Sequence, residues 1–205
     1  MNATGVGSKR PKRGTASERV IVAATRLLIE NQGYLEINEL AQAASCSTGA
    51  IYHNFGSKTG VLTAVIDRYN SSLGKIILPA TVATNRDTWL ASVKASTYAT
   101  VAFMWGEPMT PVIVREAIND TGAAAETERW LGLHLEALTA FLSEAKNSGY
   151  LPPACDTEAL AAGVAGGMRQ IMRVFVSRAE PPEMDHVARE MWEFVARQID
   201  QQSDA

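Results

Sequence analysis

Ser47-Thr48-Gly49-Ala50-Ile51-Tyr52-His53-Asn54-Phe55 is the stretch of this 205-residue chain whose residue types and spacing suggest chemistry. Thr48, Gly49 and Ala50 are small enough for a backbone to approach another surface closely. The methyls of Thr48 or Ala50 suit contact with a thymine methyl. Ser47 stands where it would cap a helix, and the positive end and free N–H groups of that helix suit a phosphate. Tyr52, His53 and Lys58 add a phenol, an imidazole and a cation, all able to donate to phosphate oxygens. Ile51 and Phe55, four residues apart, are expected to point the other way and anchor the segment.

No catalytic constellation stands beside it. His53, His134 and His186 have no metal-ligand spacing, and there is neither a glycine-rich phosphate loop nor a nucleophile elbow. Cys46 and Cys155 form no CxxC or Cys/His pattern, which fits a reducing cytoplasm. No cofactor and no metal are expected, and an enzyme is the disfavoured class. No apolar run reaches about 18 residues, and no apolar segment follows the N-terminal charges as in an export signal. The expectation is a cytoplasmic protein with no membrane partner.

The elements that must position these residues are helical. Residues 1–16 are rich in Gly, Ser, Thr, Lys and Arg and read as a disordered basic arm, with Lys9-Arg10-Pro11-Lys12-Arg13 able to lie along phosphates. From Ser17, taken as an N-cap, Val20, Ala24, Leu27 and Leu28 make one apolar stripe that ends near Asn31-Gln32-Gly33. Ile37, Leu40, Ala41 and Ala44 mark a short second helix, broken at Ser45-Cys46-Ser47. Thr48 to Phe55 makes a third. Gly56-Ser57 then opens a longer fourth helix that stops before Pro79. Helix, tight break and helix over residues 37–55 is the spacing of a helix-turn-helix. Beyond Pro79, stripes near 86–105, 109–119, 123–148, 156–178 and 183–201 alternate with Gly and Pro punctuation, and no segment alternates with a period of two. The fold class is all-α with about nine helices: a small N-terminal helix-turn-helix domain over 17–78, and a larger helical domain over 79–205.

Charge follows the same division. Residues 1–60 hold seven Lys/Arg against four Asp/Glu, the remainder twelve against eighteen, within a net charge of −3. A basic head on an acidic body suggests that the head alone meets a polyanion.

Glu39 to Lys58, with the pattern Ser-x-Gly-x-x-Tyr-x-x-Phe followed by Ser-Lys, resembles the N-terminal domain of the TetR family of bacterial regulators, and the likeness extends from Val20 to Val65. The resemblance implies a two-fold homodimer whose recognition helices enter successive major grooves of a palindromic operator, with half-sites about 34–36 Å apart. Position by position it places Thr48, Gly49 and Ala50 nearest bases, and Ser47, Tyr52, His53 and Lys58 on phosphates. It also implies a repressor released by a small-molecule inducer. A TetR-like activator, or a helical small-molecule-binding protein without an operator, is the alternative. This chain departs from the family pattern in four ways. The Gly33–Ile37 loop is about two residues short, and helix two lacks a Ser or Thr cap. Ser45 and Cys46 replace turn residues that are often Gly and Val. Gly60 stands where Glu would complete a capping box with Ser57.

The body is rich in aromatic and polarizable side chains suited to an apolar or aromatic ligand. Trp89, Tyr98, Met104, Trp105, Met109, Trp130, His134, Met168 and Met172 are the candidate lining, with His134 as the polar contact. Arg169 and Arg173 read as ion-pairing residues, or as partners for a ligand carboxylate. The last two helices carry broad apolar faces. A chain of this size can bury part of these faces within itself, but the resembling family packs its final helix pair against a two-fold mate. This makes 79–205 a ligand-binding and dimerisation domain, with Val164, Gly167, Met168, Ile171, Phe175, Met191, Phe194 and Val195 as the candidate dimer seam and close approach at Gly163, Gly166 and Gly167.

Overall fold

A computed structural model describes residues 16–78 and 83–201. The basic arm lies outside the described residues, as do Pro79 and the three residues after it. Among the described residues there are nine helices and no strand. They are α1 (Ala16–Glu30), α2 (Ile37–Ala43), α3 (Thr48–Phe55), α4 (Lys58–Gly74), α5 (Arg86–Gly106), α6 (Thr110–Val114), α7 (Thr121–Asn147), α8 (Thr157–Val176) and α9 (Met184–Gln201).

The local chemistry of the helix ends explains these boundaries. Ser47, Ser57, Asn85, Asp120 and Asp156 each cap a helix by accepting from backbone N–H groups in its first turn, satisfying donors that would otherwise lack partners. Glu36 precedes α2 without a side-chain cap, as the missing Ser or Thr foretells. Ser17 differs from expectation: α1 already includes Ala16, so Ser17 lies in the first turn, where its hydroxyl donates to Asn54 Oδ1 at 3.3 Å. Three helices end on a left-handed residue followed by an amide that reaches back five residues. These are Gln32 after α1, Ser45 after α2 and Glu116 after α6. The Ser45 departure thus has a physical reading, because at φ 52° it occupies a conformation that glycine adopts without strain.

Three apolar clusters hold the helices together. The first joins α1–α4 through Leu28, Leu40, Ile51 and Ile66, and continues without interruption into Met109, Val112 and Ala123 of the body. The second packs Trp89, Leu142, Leu160 and Ile199, and the third Val101, Met172, Val187 and Met191. The C-terminal half of α4 therefore belongs to both head and body. Tyr69 shows this: its hydroxyl is 2.9 Å from that of fully buried Thr110, and burial pushes its pKa up to about 12. No helix among the described residues is long and apolar enough to cross a membrane.

Candidate nucleic-acid interface and interior cavity

The third helix is rigid on one side and bare on the other. Ile51 is completely buried, and Phe55 packs half-buried on the same cluster. Ser47 Oγ accepts from the Ala50 amide at 3.1 Å, which fixes the first turn. Gly49, Tyr52, His53 and Asn54 are exposed, Tyr52 by 48%, while Thr48 and Ala50 are half-buried at the start of the helix. The structure therefore brings the seven sequence-selected residues to one end of the head: six along the Ser47–His53 turn and helix, and Lys58 in the first turn of α4.

Two further side chains join them. Tyr34, 59% exposed, has the Lys58 ammonium 5.1 Å from its ring centre. Its hydroxyl donates to Glu36, and that hydrogen bond, with the carboxylate's charge, raises the phenol pKa. Asn54 is the second, bonded to the Ala50 carbonyl and to Ser17 of α1. The signal for Tyr34 was its place beside Gly33 in the shortened loop, since a bulky aromatic in a tight turn without a core to fill is left at the surface.

The head is held to the body at defined points. Gly33, at φ 96°, lies so close to the loop after α6 that a Cβ there would sit 2.3 Å from the Ala117 carbonyl oxygen. Thr59 of α4 donates to Asp120, the cap of α7, at 3.0 Å. The Ala123 amide, and then the Thr59 hydroxyl, keep the Asp120 carboxyl below its ordinary pKa, against the opposing effect of burial. Arg115 reaches back to Ser177 and the Val176 carbonyl at the end of α8, and Arg169 of α8 pairs with Glu116 at 2.9 Å. Residues 115–120 thus touch both the body and the head.

Behind this loop lies a cavity of about 370 Å³, walled by α4 to α9. Of the nine lining candidates, Met104, His134 and Met168 face it. The other six are elsewhere. Trp89 stacks on Phe141 within the second cluster, 6.2 Å between ring centres. Met109 and Trp130 pack on the first cluster, and Met172, Tyr98 and Trp105 on the third. Large side chains here fill space rather than enclose it. The wall includes residues that composition does not flag: Asn70, Ser96, Thr97 and Thr100. Ser96 donates to the Ile76 and Ile77 carbonyls, Thr97 to that of Val93, and Asn70 to that of Ile66. The donors of Ser96, Thr97 and Asn70 are thus committed to the backbone and their wall is mostly apolar, while the buried His134 Nε2 has no partner among the described residues.

Burial lowers the pKa of His134 from its usual 6.5, opposed by a hydrogen bond to the Asn70 backbone. Its folded pKa is depressed, so its contribution to stability is complete above the unfolded value and is lost as pH falls through the folded one. The melting temperature is expected to fall between neutral pH and pH of about 5, and less steeply in His134→Gln. Parallel profiles for the two proteins would remove His134 as the cause.

Within the single chain the seam candidates already have neighbours. Val164, Phe175, Met191 and Val195 are buried within this single chain, and Met168 faces the cavity. Ile171 packs on the third cluster, and the partly buried Phe194 on the second. Gly167 does meet a close neighbour, but it is the Phe194 ring of the same chain, 2.2 Å from where a Cβ would stand. Gly163 and Gly166 face open space. The periodicity of α8 reports its core face. Its exposed side carries Ala159, Ala162, Gly163, Gly166, Gln170 and Val174, and of these Ala162 and Gly166 also border the cavity.

Residues 21–65 match the bacterial regulatory proteins of the tetR family. Two uncharacterized HTH-type transcriptional regulators of Mycobacterium tuberculosis are each 34% identical over 64 residues, 31% of this chain and 32% of theirs. The chain thus matches about a third of the length of these relatives. Over the whole chain the fold is similar to the fatty acid degradation regulator FadR of Bacillus halodurans, with TM-score 0.72 and 17% identity, covering 90% of this chain and 96% of that one. It is likewise similar to FadR of Bacillus subtilis, solved with stearoyl-CoA, with TM-score 0.70 and 17% identity over 89% and 98% of the two chains.

Proposed function

Because its N-terminal domain makes this chain a member of the TetR family of transcriptional regulators, with a DNA-binding helix-turn-helix, we propose that it is a dimeric repressor released from a palindromic operator by a small, largely apolar ligand. One observation carries the DNA half of this reading. The third helix is locked from behind by Ile51 and capped by Ser47, and it offers small residues at its first turn with Tyr52 and His53 beside them. That is the arrangement by which a recognition helix reads base edges while its flanks hold phosphates. The cavity supports the ligand half, as does the stearoyl-CoA held by the similarly folded Bacillus subtilis protein. Dimerisation is assigned to the outer faces of α8 and α9, where the small residues of α8 permit close approach. Residues 17–78 form the DNA-binding unit and 79–205 the ligand-binding and dimerisation unit, acting in the cytoplasm.

Selection of bound sites from random DNA, at stated salt, tests this reading. The expected product is a palindrome with half-sites one turn, or a small multiple of one turn, apart; no enrichment would overturn it. On the selected site, Thr48→Ala is expected to relax preference at one half-site position. Lys58→Ala should weaken every sequence alike and reduce the salt slope by about one. His53→Ala should also weaken binding without changing the preferred sequence. Identical effects of all three on every sequence would refute the division into base-facing and phosphate-facing residues.

A further inference from the structure

We infer that the ligand of the cavity is an amphipathic carboxylic acid, its apolar body held among α4 to α8 and its carboxylate taken by Arg169. This rests on the reading of the cavity as a ligand site.

The wall contains one charged side chain, Arg169, and no acidic one among the residues that line it. A cation bordering an apolar enclosure, with donors left over from its ion pair to Glu116, favours a ligand with a single negative group, because a charge-assisted hydrogen bond there is strong. The other polar groups do not compete for that role. Ser96 and Thr97 already donate to backbone carbonyls, and burial disfavours the charged form of His134, so its unpartnered Nε2 offers a neutral hydrogen bond rather than a counter-charge. The Arg169 guanidinium carries five N–H donors, and Glu116 engages one of them through a single 2.9 Å contact. The Glu116 carboxylate is 62% exposed, so water competes for it. It also stands on a left-handed residue, which holds the loop in a conformation unfavourable for glutamate. A ligand carboxylate approaching from the cavity side can take two donors in a fork, which Glu116 does not. Glu116 immediately precedes Ala117, whose carbonyl abuts Gly33 of the head, so exchange of partners at Arg169 occurs at the loop that joins body to DNA-binding unit.

Decanoate, 1-decanol and decylamine share one apolar chain and differ in the charge of the head. Calorimetric titration of the full-length protein at neutral pH is expected to give decanoate an affinity about tenfold or more above decanol, with decylamine weakest. Arg169→Gln should bring decanoate down to the level of decanol and leave decanol unchanged. Arg169→Lys should keep the order of the three. Glu116→Gln, which removes the competing anion, should raise decanoate affinity several-fold. Equal binding of acid and alcohol, or a preference that survives Arg169→Gln, overturns the assignment of an acid and leaves the cavity as a site for neutral ligands. If none of the three binds, the cavity is not a ligand site, and both this inference and the reading beneath it fail.

Discussion

A Gly60→Glu variant is expected to be less stable than the parent by about 3 kcal/mol, although on sequence grounds the change completes a capping box with Ser57. Half of that box exists, since the Gly60 amide already donates to Ser57 Oγ at 3.0 Å. The other half has no room. A Cβ on residue 60 would stand 1.9 Å from the Phe55 carbonyl oxygen and 3.0 Å from its carbon. The obstruction is main chain, so no rotamer change relieves it, and α3 and α4 must separate. A gain of a few tenths to about 1 kcal/mol from a better cap cannot offset this. The melting temperature should drop by roughly 6–12 °C, taking about 2–4 °C per kcal/mol for a chain of this size. Gly60→Ala should reproduce most of the loss, because the obstruction begins at Cβ. Phe55 is the last residue of α3, so operator affinity should fall in both variants at temperatures where they remain folded. A melting temperature equal to or above that of the parent would show that the two helices yield easily, and that the sequence expectation of a missing cap was sound.

Gly60 illustrates which parts of this protein are legible from sequence. Local signals are reliable because their causes are local. Ser47 and Ser57 cap helices three residues ahead of their partners, and the i, i+4 pair Ile51 and Phe55 turns inward while Tyr52 and His53 stay out. The nine helices among the described residues follow such short-range patterns, although the stripe near 109–119 gives a helix only over Thr110–Val114. What a buried face packs against is not written at that range. The apolar stripe of α8 reads the same whether it meets a second copy or its own neighbours, and here Met172 and Phe175 meet the third cluster. The cavity is less legible still. It exists where side chains fail to fill the space between six helices, so the Trp and Met residues that attract notice in the sequence are mostly those that close the clusters. Ser96 and Thr97 line it because their hydroxyls are satisfied by nearby carbonyls, which lets polar residues serve as an apolar wall.

Gly33→Ala is expected to have an effect of similar size but of a different kind. Gly33 stands at φ 96°, and moving a residue with a side chain into the left-handed region costs about 1–2 kcal/mol. A methyl there would also sit 2.3 Å from the Ala117 oxygen and 2.9 Å from its Cβ, adding an overpacking cost of about 1–3 kcal/mol. Gly149 supplies the control, since it too has positive φ, 77°, with nothing within 4 Å of a Cβ. Gly149→Ala should therefore show the conformational cost alone, and the difference between the two melting temperatures isolates the contact between head and body. The functional consequence follows from where that contact lies. A ligand alters DNA affinity only through a difference in its own affinity for two states of the protein, and the same factor must appear when DNA alters ligand affinity. If the loop over 115–120 carries that difference, Gly33→Ala should leave the affinity of the DNA-free protein for decanoate near the parent value while shrinking the factor by which decanoate and operator oppose each other. Titrating decanoate with and without operator DNA, in the parent and both glycine variants, measures that factor directly. Should Gly33→Ala keep the parent's factor despite its lower melting temperature, the contact serves stability alone, and the signal reaches α3 by way of α4.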